Sequence, residues 1–131
     1  MIIELLKPIN EDILNSINSN KRGSIGEEIQ IHTSSLGLPD IESTDVAILG
    51  ISETRNSFFE SNDFNLSDFR KEFYQLNLGK WKKSISDLGN IPNGETTKDT
   101  YHAITELCLF LKKKKIIIII IGGSNDIIFP I

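Results

Sequence analysis

The chain has 131 residues, 39% of them hydrophobic, and this length and composition predict a single globular domain with its own core. A formal net charge of −4 and a pI near 5.2, with no basic stripe that alternates with aromatic residues, argue against a nucleic-acid-binding protein. The single cysteine, Cys108, excludes an internal disulfide, and His32 and His102 are too few and too far apart in sequence to predict a metal cluster.

Short basic and apolar runs do not change the prediction of a globular domain that binds neither nucleic acid nor membrane. The run Trp81, Lys82, Lys83 is too short to predict a nucleic-acid interface. The lysines at 112–115 are interpreted as a charged helix end, where cations complement the helix dipole. The amino terminus lacks the basic region of a secretory signal, and the isoleucine run is far shorter than the roughly 20 residues that cross a bilayer. We therefore expect a cytoplasmic protein without nucleic-acid or membrane partners.

Residues 1–44 are predicted to form a leader of one helix and a loop. Asn10 is a good helix cap, and acidic residues fill the first turn after it. The stretch that follows is rich in glycine, serine and acidic residues, with room for a short strand at 29–31. Residues 45–131 are predicted to form the α/β portion of the chain.

The α/β portion begins with a strand, a loop and a helix. The apolar run at 46–50 ends in glycine and predicts a buried strand, and the polar and aromatic stretch at 52–65 predicts a long loop. Ser67 is predicted to cap the helix, which has apolar residues at helical spacing.

A second strand, a third helix and a third strand follow. Residues 84–88 predict a weaker strand that ends at Gly89. Thr96 and Asp99 have the spacing of a capping box at the start of the third helix, which leads into the isoleucine run. This alternation of strands and helices predicts a parallel sheet in an α/β fold.

The last strand, at 116–121, consists entirely of isoleucine. Because alternate side chains of a strand point to opposite sides, this run predicts burial on both faces of a sheet covered by helices. A glycine pair then opens a loop at the carboxyl end of the strand, where ligands bind in open α/β sheets. A substrate pocket is therefore predicted at Ser124, Asn125 and Asp126. The same residue types are good helix caps, and both roles remain open.

Three charged residues elsewhere are candidates for a site, and a fourth has a predicted structural role. Glu53 and Arg55 follow the first strand and are expected at the same sheet edge, where they bind a charged substrate or form a surface ion pair that orders the loop. Arg70 is predicted to tie its helix to a neighbouring loop. Asp87 is a candidate catalytic carboxylate, although the glycine and asparagine close behind it favour a turn-forming role.

The order of these segments resembles the ureohydrolases, the superfamily of arginase, agmatinase and formimidoylglutamase. Residues 45–56 resemble the family's first strand and the loop after it, and residues 69–74 resemble its "iR..l" helix. Residues 87–97 resemble the "D.GN…G.t" stretch, and residues 121–126 the strand end written "GGDHS". The leader fits a bacterial formimidoylglutamase-like branch best, at residues 23–26.

The resemblance implies a three-layer parallel sheet of arginase type, of which this chain supplies the first three strands and their helices. It also implies a guanidino or formimidoyl substrate, a homo-oligomer, and two manganese ions whose bridging hydroxide attacks the substrate carbon. The family's "DAH.D" and "D.D…D" ligand motifs do not occur in the sequence, and Asn125 stands where "GGDHS" has its histidine ligand. A neutral amide oxygen replaces imidazole poorly on manganese. No catalytic residue and no metal ligand therefore carries over to this chain.

Three hypotheses follow. In the first, the chain is the amino-terminal part of a ureohydrolase-like hydrolase of linear C–N bonds, and is inactive by itself because it lacks the metal-ligand motifs. In the second, it is a metal-free binding or assembly module with the same type of fold. In the third, it is an unrelated small α/β ligand-binding domain, but the loop after the first strand lacks the glycines of a phosphate-binding loop.

The first hypothesis also predicts how the isolated chain behaves. A partial sheet with so apolar a last strand leaves an unpaired edge and exposed apolar surface. We therefore expect this chain to oligomerise or aggregate when it is expressed alone. Size-exclusion chromatography with thermal melting tests this expectation, and a monodisperse monomer that unfolds cooperatively would contradict it.

Overall fold

Four parallel strands form one sheet in the computed structural model, which describes residues 2–16, 23–52 and 65–123. The strands are β1 (Gln30–Ile31), β2 (Val46–Ile51), β3 (Ile85–Ile91) and β4 (Ile117–Ile121). The helices are α1 (Asp12–Ser16), α2 (Ile25–Glu28), α3 (Leu66–Tyr74) and α4 (Thr97–Lys113), with short 3₁₀ turns at Ile2–Leu5 and Ile41–Ser43. None of the helices in these ranges is long and apolar enough to cross a membrane.

The sheet confirms the predicted α/β class and adds one strand to it. Its order is β1-β3-β2-β4, and all three pairings are parallel. The fourth strand is the short β1, which forms where the leader has room for a strand. The leader also reaches the sheet through Lys7, whose backbone exchanges two hydrogen bonds with Asn90, both of 2.9 Å. The sheet thus includes backbone from both predicted segments.

The described helices pack on both faces of the sheet. Because side chains alternate along a strand, Asp87 and Leu88 of β3 point to opposite faces. Asp87 meets α3, which also contacts α1 and α2. Leu88 belongs to the larger core cluster, beneath α4. The buried members of that cluster are Ile3, Leu6, Ala47, Leu49, Ile51, Leu88, Ile91, Ala103, Ile104, Leu107, Cys108, Leu111 and Ile116.

A bulge in β3 alters this alternation. Ile48 of β2 pairs with Asp87 of β3, and Gly50 of β2 pairs with Asn90 of β3. Between these two pairs the chain advances by two residues in β2 and by three in β3. One extra residue is therefore inserted in β3, which brings Asp87 and Asn90 to the same face. Gly89 lies within the insertion at φ +93°, and a Cβ there would collide with the carbonyl oxygen of Lys7. The prediction that the strand ends at Gly89 is therefore wrong, because the strand continues through the bulge to Ile91.

The prediction that residues 116–121 are buried on both faces is also wrong. β4 lies at the edge of the sheet, where it pairs with β2. Ile118 and Ile120 pack on the core beneath α4, whereas Ile117 and Ile119 are 60% and 44% exposed. The isoleucine run indicates a strong preference for extended backbone. It does not indicate which strand of the sheet lies beside it, or whether the strand is central or at an edge.

Helix starts depend on local bonds and are close to their predicted positions. The capping box of Thr96 and Asp99 forms at the start of α4, with both reciprocal hydrogen bonds present. α3 is capped two residues earlier than predicted: Asn65 Oδ1 accepts from the backbone N–H of Ser67 at 2.8 Å and from that of Asp68. Asn65 replaces Ser67 as the cap because its amide oxygen reaches the first free N–H groups.

The end of α4 is a Schellman motif with an unusual residue in its left-handed position. The N–H of Ile116 donates to Leu111 O, and the N–H of Lys115 donates to Lys112 O. Lys115 has φ 60°, a conformation that glycine adopts without the steric cost of a Cβ. The motif turns the chain from α4 into β4.

We predict that Lys115→Gly stabilises the protein by about 0.5–1 kcal/mol, because glycine relieves the strain of the left-handed conformation. Lys113→Gly is the matched control: it removes the same side chain at the last residue of α4, where the backbone is right-handed, and is expected to destabilise by up to about 1 kcal/mol. Urea unfolding monitored by circular dichroism measures both changes. Equal destabilisation by the two substitutions would contradict the prediction.

Candidate functional site

All five predicted pocket residues lie outside the described residues: Glu53, Arg55, Ser124, Asn125 and Asp126. The glycine pair before the last three is described, and both members have positive φ, 87° at Gly122 and 84° at Gly123. These angles explain why glycine follows β4, since other residues adopt them at a cost. The candidate site is therefore built from the carboxyl ends of β2 and β3.

A buried Arg70–Asp87 ion pair joins α3 to β3 just below this edge. Arg70 is 2% exposed and Asp87 is fully buried. Arg70 Nε donates to Asp87 Oδ2 at 2.8 Å, and Nη2 donates to Oδ1 at 3.0 Å, so the guanidinium binds both carboxylate oxygens. This two-point geometry is the strong form of an arginine–carboxylate contact. Arg70 was predicted to tie α3 to a loop, and its partner is instead the central strand and its bulge.

Two further donors complete the environment of the Asp87 carboxylate. Tyr74 OH donates to Oδ2 at 2.5 Å, and the backbone N–H of Gly89 donates to Oδ1 at 3.0 Å. The contact with Gly89 confirms the turn-forming role predicted for Asp87. With four donors on its two oxygens, the carboxylate is bound as an ion. It serves structure here rather than proton transfer.

Tyr74 is held in its neutral, donating form by this environment. Burial raises the pKa of the Tyr74 phenol well above its usual range, and the neighbouring Asp87 charge raises it further. Because the pKa is raised in the folded state, the associated stability is present below the unfolded value of about 10 and is lost as pH rises above it. The network is therefore intact at neutral pH.

Arg70 also orients Asn90 at the carboxyl end of β3. Nη1 donates to Asn90 Oδ1 at 2.6 Å, and Nη2 donates to the carbonyl oxygen of Gly89 at 3.1 Å. Opposite Asn90 on β2 lies Gly50, where a Cβ would collide with the same Oδ1 atom. Glycine at position 50 thus allows the half-buried Asn90 side chain to lie across the end of β2.

The connections that leave β2 and β3 run to opposite faces of the sheet. β2 leads to α3 on the Asp87 face, and β3 leads to α4 on the Leu88 face. Such a reversal between neighbouring parallel strands marks the usual ligand position in open α/β sheets, beyond the carboxyl ends of the strands. We call this position, at the ends of β2 and β3, the crevice. Ser52 Oγ donates to Asn93 Oδ1 at 3.1 Å across this crevice. Ser52, Asn90 and Asn93 therefore supply neutral hydrogen-bonding groups there.

His32 lies on the other side of β3, directly after β1. Its Nδ1 is 2.8 Å from the carbonyl oxygen of Leu88, and the side chain is buried. Because a carbonyl oxygen accepts only, Nδ1 carries the proton. His32 thus braces the β3 bulge through the backbone of Leu88. His102, by contrast, is exposed on α4.

The described residues do not fit the manganese pair that the ureohydrolase resemblance implies. No group of three or more His, Cys, Asp or Glu side chains in residues 2–16, 23–52 and 65–123 is arranged to hold a metal ion. The carboxylate of Asp87 is already occupied by its four donors. We derive no reaction step through a metal.

Sequence reasoning identified two members of the network, Arg70 and Asp87, but did not join them. They are 17 positions apart, and their contact depends on the packing of α3 against β3. It missed Tyr74, Asn90 and Asn93 as site residues. One signal was available, since Arg70 and Tyr74 are spaced i, i+4 and so share a face of α3.

We predict that Arg70→Met destabilises the protein by about 3–5 kcal/mol, because it leaves Asp87 buried without its counter-ion. Lys71→Met is the matched control on the same helix, where the side chain is exposed, and it is expected to change stability by less than about 0.5 kcal/mol. Guanidinium unfolding of the two variants measures the difference. A loss below 1 kcal/mol for Arg70→Met, on the order of a neutral hydrogen bond, would contradict the structural role of the pair.

Comparison with known proteins adds no relative to these observations. No family model, no curated protein and no solved structure matches the chain. The likeness to ureohydrolases therefore rests on the sequence segments themselves. Two of these segments, 69–74 and 87–97, lie entirely within the described residues and are joined by the Arg70–Asp87 pair.

Proposed function

We propose that this chain is the amino-terminal part of a ureohydrolase-like hydrolase, with a sheet of arginase type, that acts on a linear C–N bond of a guanidino or formimidoyl compound. One observation carries the proposal. Arg70 comes from the segment that resembles the "iR..l" helix, and it binds Asp87 and Asn90 of the "D.GN" segment. Two segments selected by resemblance alone thus form one buried network at the carboxyl edge.

The ligand of this proposal binds in the crevice between β2 and β3. Ser52 and Asn93 meet there, and their hydroxyl and amide oxygens accept hydrogen bonds from the N–H groups of a guanidinium or formimidoyl group. The Arg70 network holds Asn90 at the same edge. The chain's own contribution is to bind and orient the substrate, whereas manganese in the family supplies the hydroxide that attacks the substrate carbon.

A metal-free binding module is the second candidate function, and one observation favours it. The Asp87 carboxylate is fully occupied by donors, so it is not available as a base or a ligand. A module of this kind binds the same compounds without turning them over. The two candidates therefore differ in whether a longer protein that contains this chain turns the bound compound over.

Titration of the ¹⁵N-labelled protein with agmatine, arginine and formimidoylglutamate tests the proposal by NMR. We expect millimolar or tighter binding, with the largest amide shifts at Ser52, Asn90 and Asn93. Putrescine, ornithine and glutamate are matched ligands that lack the amidine, and they are expected to bind at least about tenfold more weakly, a difference of about 1.4 kcal/mol. Asn93→Ala is expected to weaken binding, whereas Asn15→Ala, at an exposed position of α1, is not.

Manganese tests the ligand assignment that both candidates share. Because this chain carries none of the family's metal-ligand motifs, amidine binding is expected to be the same with and without manganese, and tighter binding when manganese is added would contradict that assignment. Shifts that are equal for amidine and matched ligands, or that lie away from the carboxyl edge, would overturn both.

A further inference from the structure

The amino-terminal edge of the sheet, opposite the crevice, carries two lysine-rich segments. Residues 80–83 precede β3 and residues 112–115 precede β4, and every side chain in both is exposed. We call these two segments the basic edge. They contain seven lysines, which is half of the 14 lysines and arginines in a chain of net charge −4. The cationic charge of the molecule is therefore concentrated on one side.

The strand register brings the two segments together. Val46 of β2 pairs with Ile85 on one side and with Ile117 on the other. Two strand spacings of about 4.8 Å place Ile85 and Ile117 roughly 10 Å apart across β2. Lys83 and Lys115 each lie two positions before these partners, on either side of the start of β2. Segments that are 29 residues apart in sequence thus form one cationic surface.

Asp45 fixes both segments to the start of β2. Its Oδ2 accepts from the backbone N–H of Ser84 at 2.8 Å, and its carbonyl oxygen accepts from that of Ile117 at 3.0 Å. A second acidic residue at this edge, Glu42, pairs with Lys114 and neutralises one of the seven lysines. The bonds of Asp45 to Ser84 and Ile117 join both segments to the same residue.

Helix-dipole stabilisation does not account for the whole surface. Lysines at 112–115 complement the carboxyl end of α4, but residues 80–83 lie in the connection before β3, well after α3 has ended. Lys115 keeps a charged side chain at a left-handed position where glycine costs less. The cations at these positions therefore need a second explanation.

Trp81 supplies an aromatic surface within this charge. It is the only tryptophan in the chain, it is 52% exposed, and Lys80 and Lys82 flank it. An exposed indole among lysines matches the combination that binds single-stranded nucleic acid, in which bases stack on aromatic rings and phosphates bind cations. A membrane surface fits less well, because interfacial binding scales with apolar area and Trp81 is the one apolar side chain in the two segments. The exposed isoleucines nearest to them, Ile117 and Ile119, lie on β4 outside the basic edge.

Residues 81–83 alone are too short to predict a nucleic-acid interface, but the strand register adds residues 112–115 beside them. We propose that the basic edge binds single-stranded nucleic acid, with phosphates on its lysines and a base stacked on Trp81. The interaction is independent of base sequence, because neither phosphates nor the indole face read base edges. The amino-terminal and carboxyl edges lie at opposite ends of the strands. Nucleic acid and a small ligand of the crevice therefore bind without competing.

Intrinsic fluorescence tests the proposal directly, because Trp81 is the only tryptophan. Titration with oligothymidylate at low salt is expected to quench the emission with a micromolar Kd. Fluorescence anisotropy of the labelled oligonucleotide gives the same constant independently. The logarithm of the association constant should fall linearly with the logarithm of salt concentration, at about 0.7 per phosphate bound.

Charge-reversal variants locate the surface. Lys82→Glu/Lys83→Glu and Lys112→Glu/Lys113→Glu, one pair from each segment, are each expected to weaken binding at least about tenfold and to lower the salt slope by about 1.4. Lys71→Glu/Lys98→Glu is the matched control. It makes the same change in net charge at exposed positions on α3 and α4, and it should leave affinity within about twofold.

Trp81→Leu separates stacking from charge. It is expected to weaken binding by about tenfold without changing the salt slope, because it removes the indole and no cation. Circular dichroism of each variant confirms that it is folded.

Three results would overturn the proposal. The first is no change in fluorescence or anisotropy at low salt. The second is equal weakening by the control variant, which indicates attraction by net charge alone. The third is binding to phosphatidylserine vesicles in the absence of binding to oligonucleotides, which assigns the surface to a membrane.

Discussion

The buried pair of Arg70 and Asp87 is the contact on which the architecture of the carboxyl edge depends. A charge at the centre of a sheet is costly unless it is paired and fully hydrogen-bonded, and here the carboxylate has four donors. Those donors come from α3 and from the β3 bulge. Satisfying one buried carboxylate therefore sets both the position of the helix and the backbone path of the strand.

The bulge gives this pair its connection to the crevice. In a regular strand, residues 87 and 90 would face opposite sides, and the guanidinium of Arg70 would reach only one of them. The inserted residue brings Asn90 to the Arg70 face, and Gly50 leaves the space that its side chain occupies. Stability and the geometry of the candidate site thus share the same atoms, so substitutions in the network affect both.

The two ends of the strands differ in chemical character. The carboxyl end presents hydroxyl and amide groups in a crevice, and the amino end presents exposed lysines around one indole. Parallel pairing produces this separation, because it brings all segments that precede the strands to one edge and all segments that follow them to the other. β4, as an edge strand with exposed isoleucines, adds an apolar margin beside the basic edge.

The sequence by itself determined the local elements. The α4 capping box and the apolar runs of β2 and β4 depend on bonds and preferences within a few residues, and they form close to where they were expected. Tertiary structure decided what lies beside what: that Arg70 meets Asp87, that β4 is at an edge, and that two distant lysine segments share a surface. The physical reason is that strand order and helix packing join residues far apart in the chain. Their energies depend on the burial and pairing of the whole sheet, which no local pattern records.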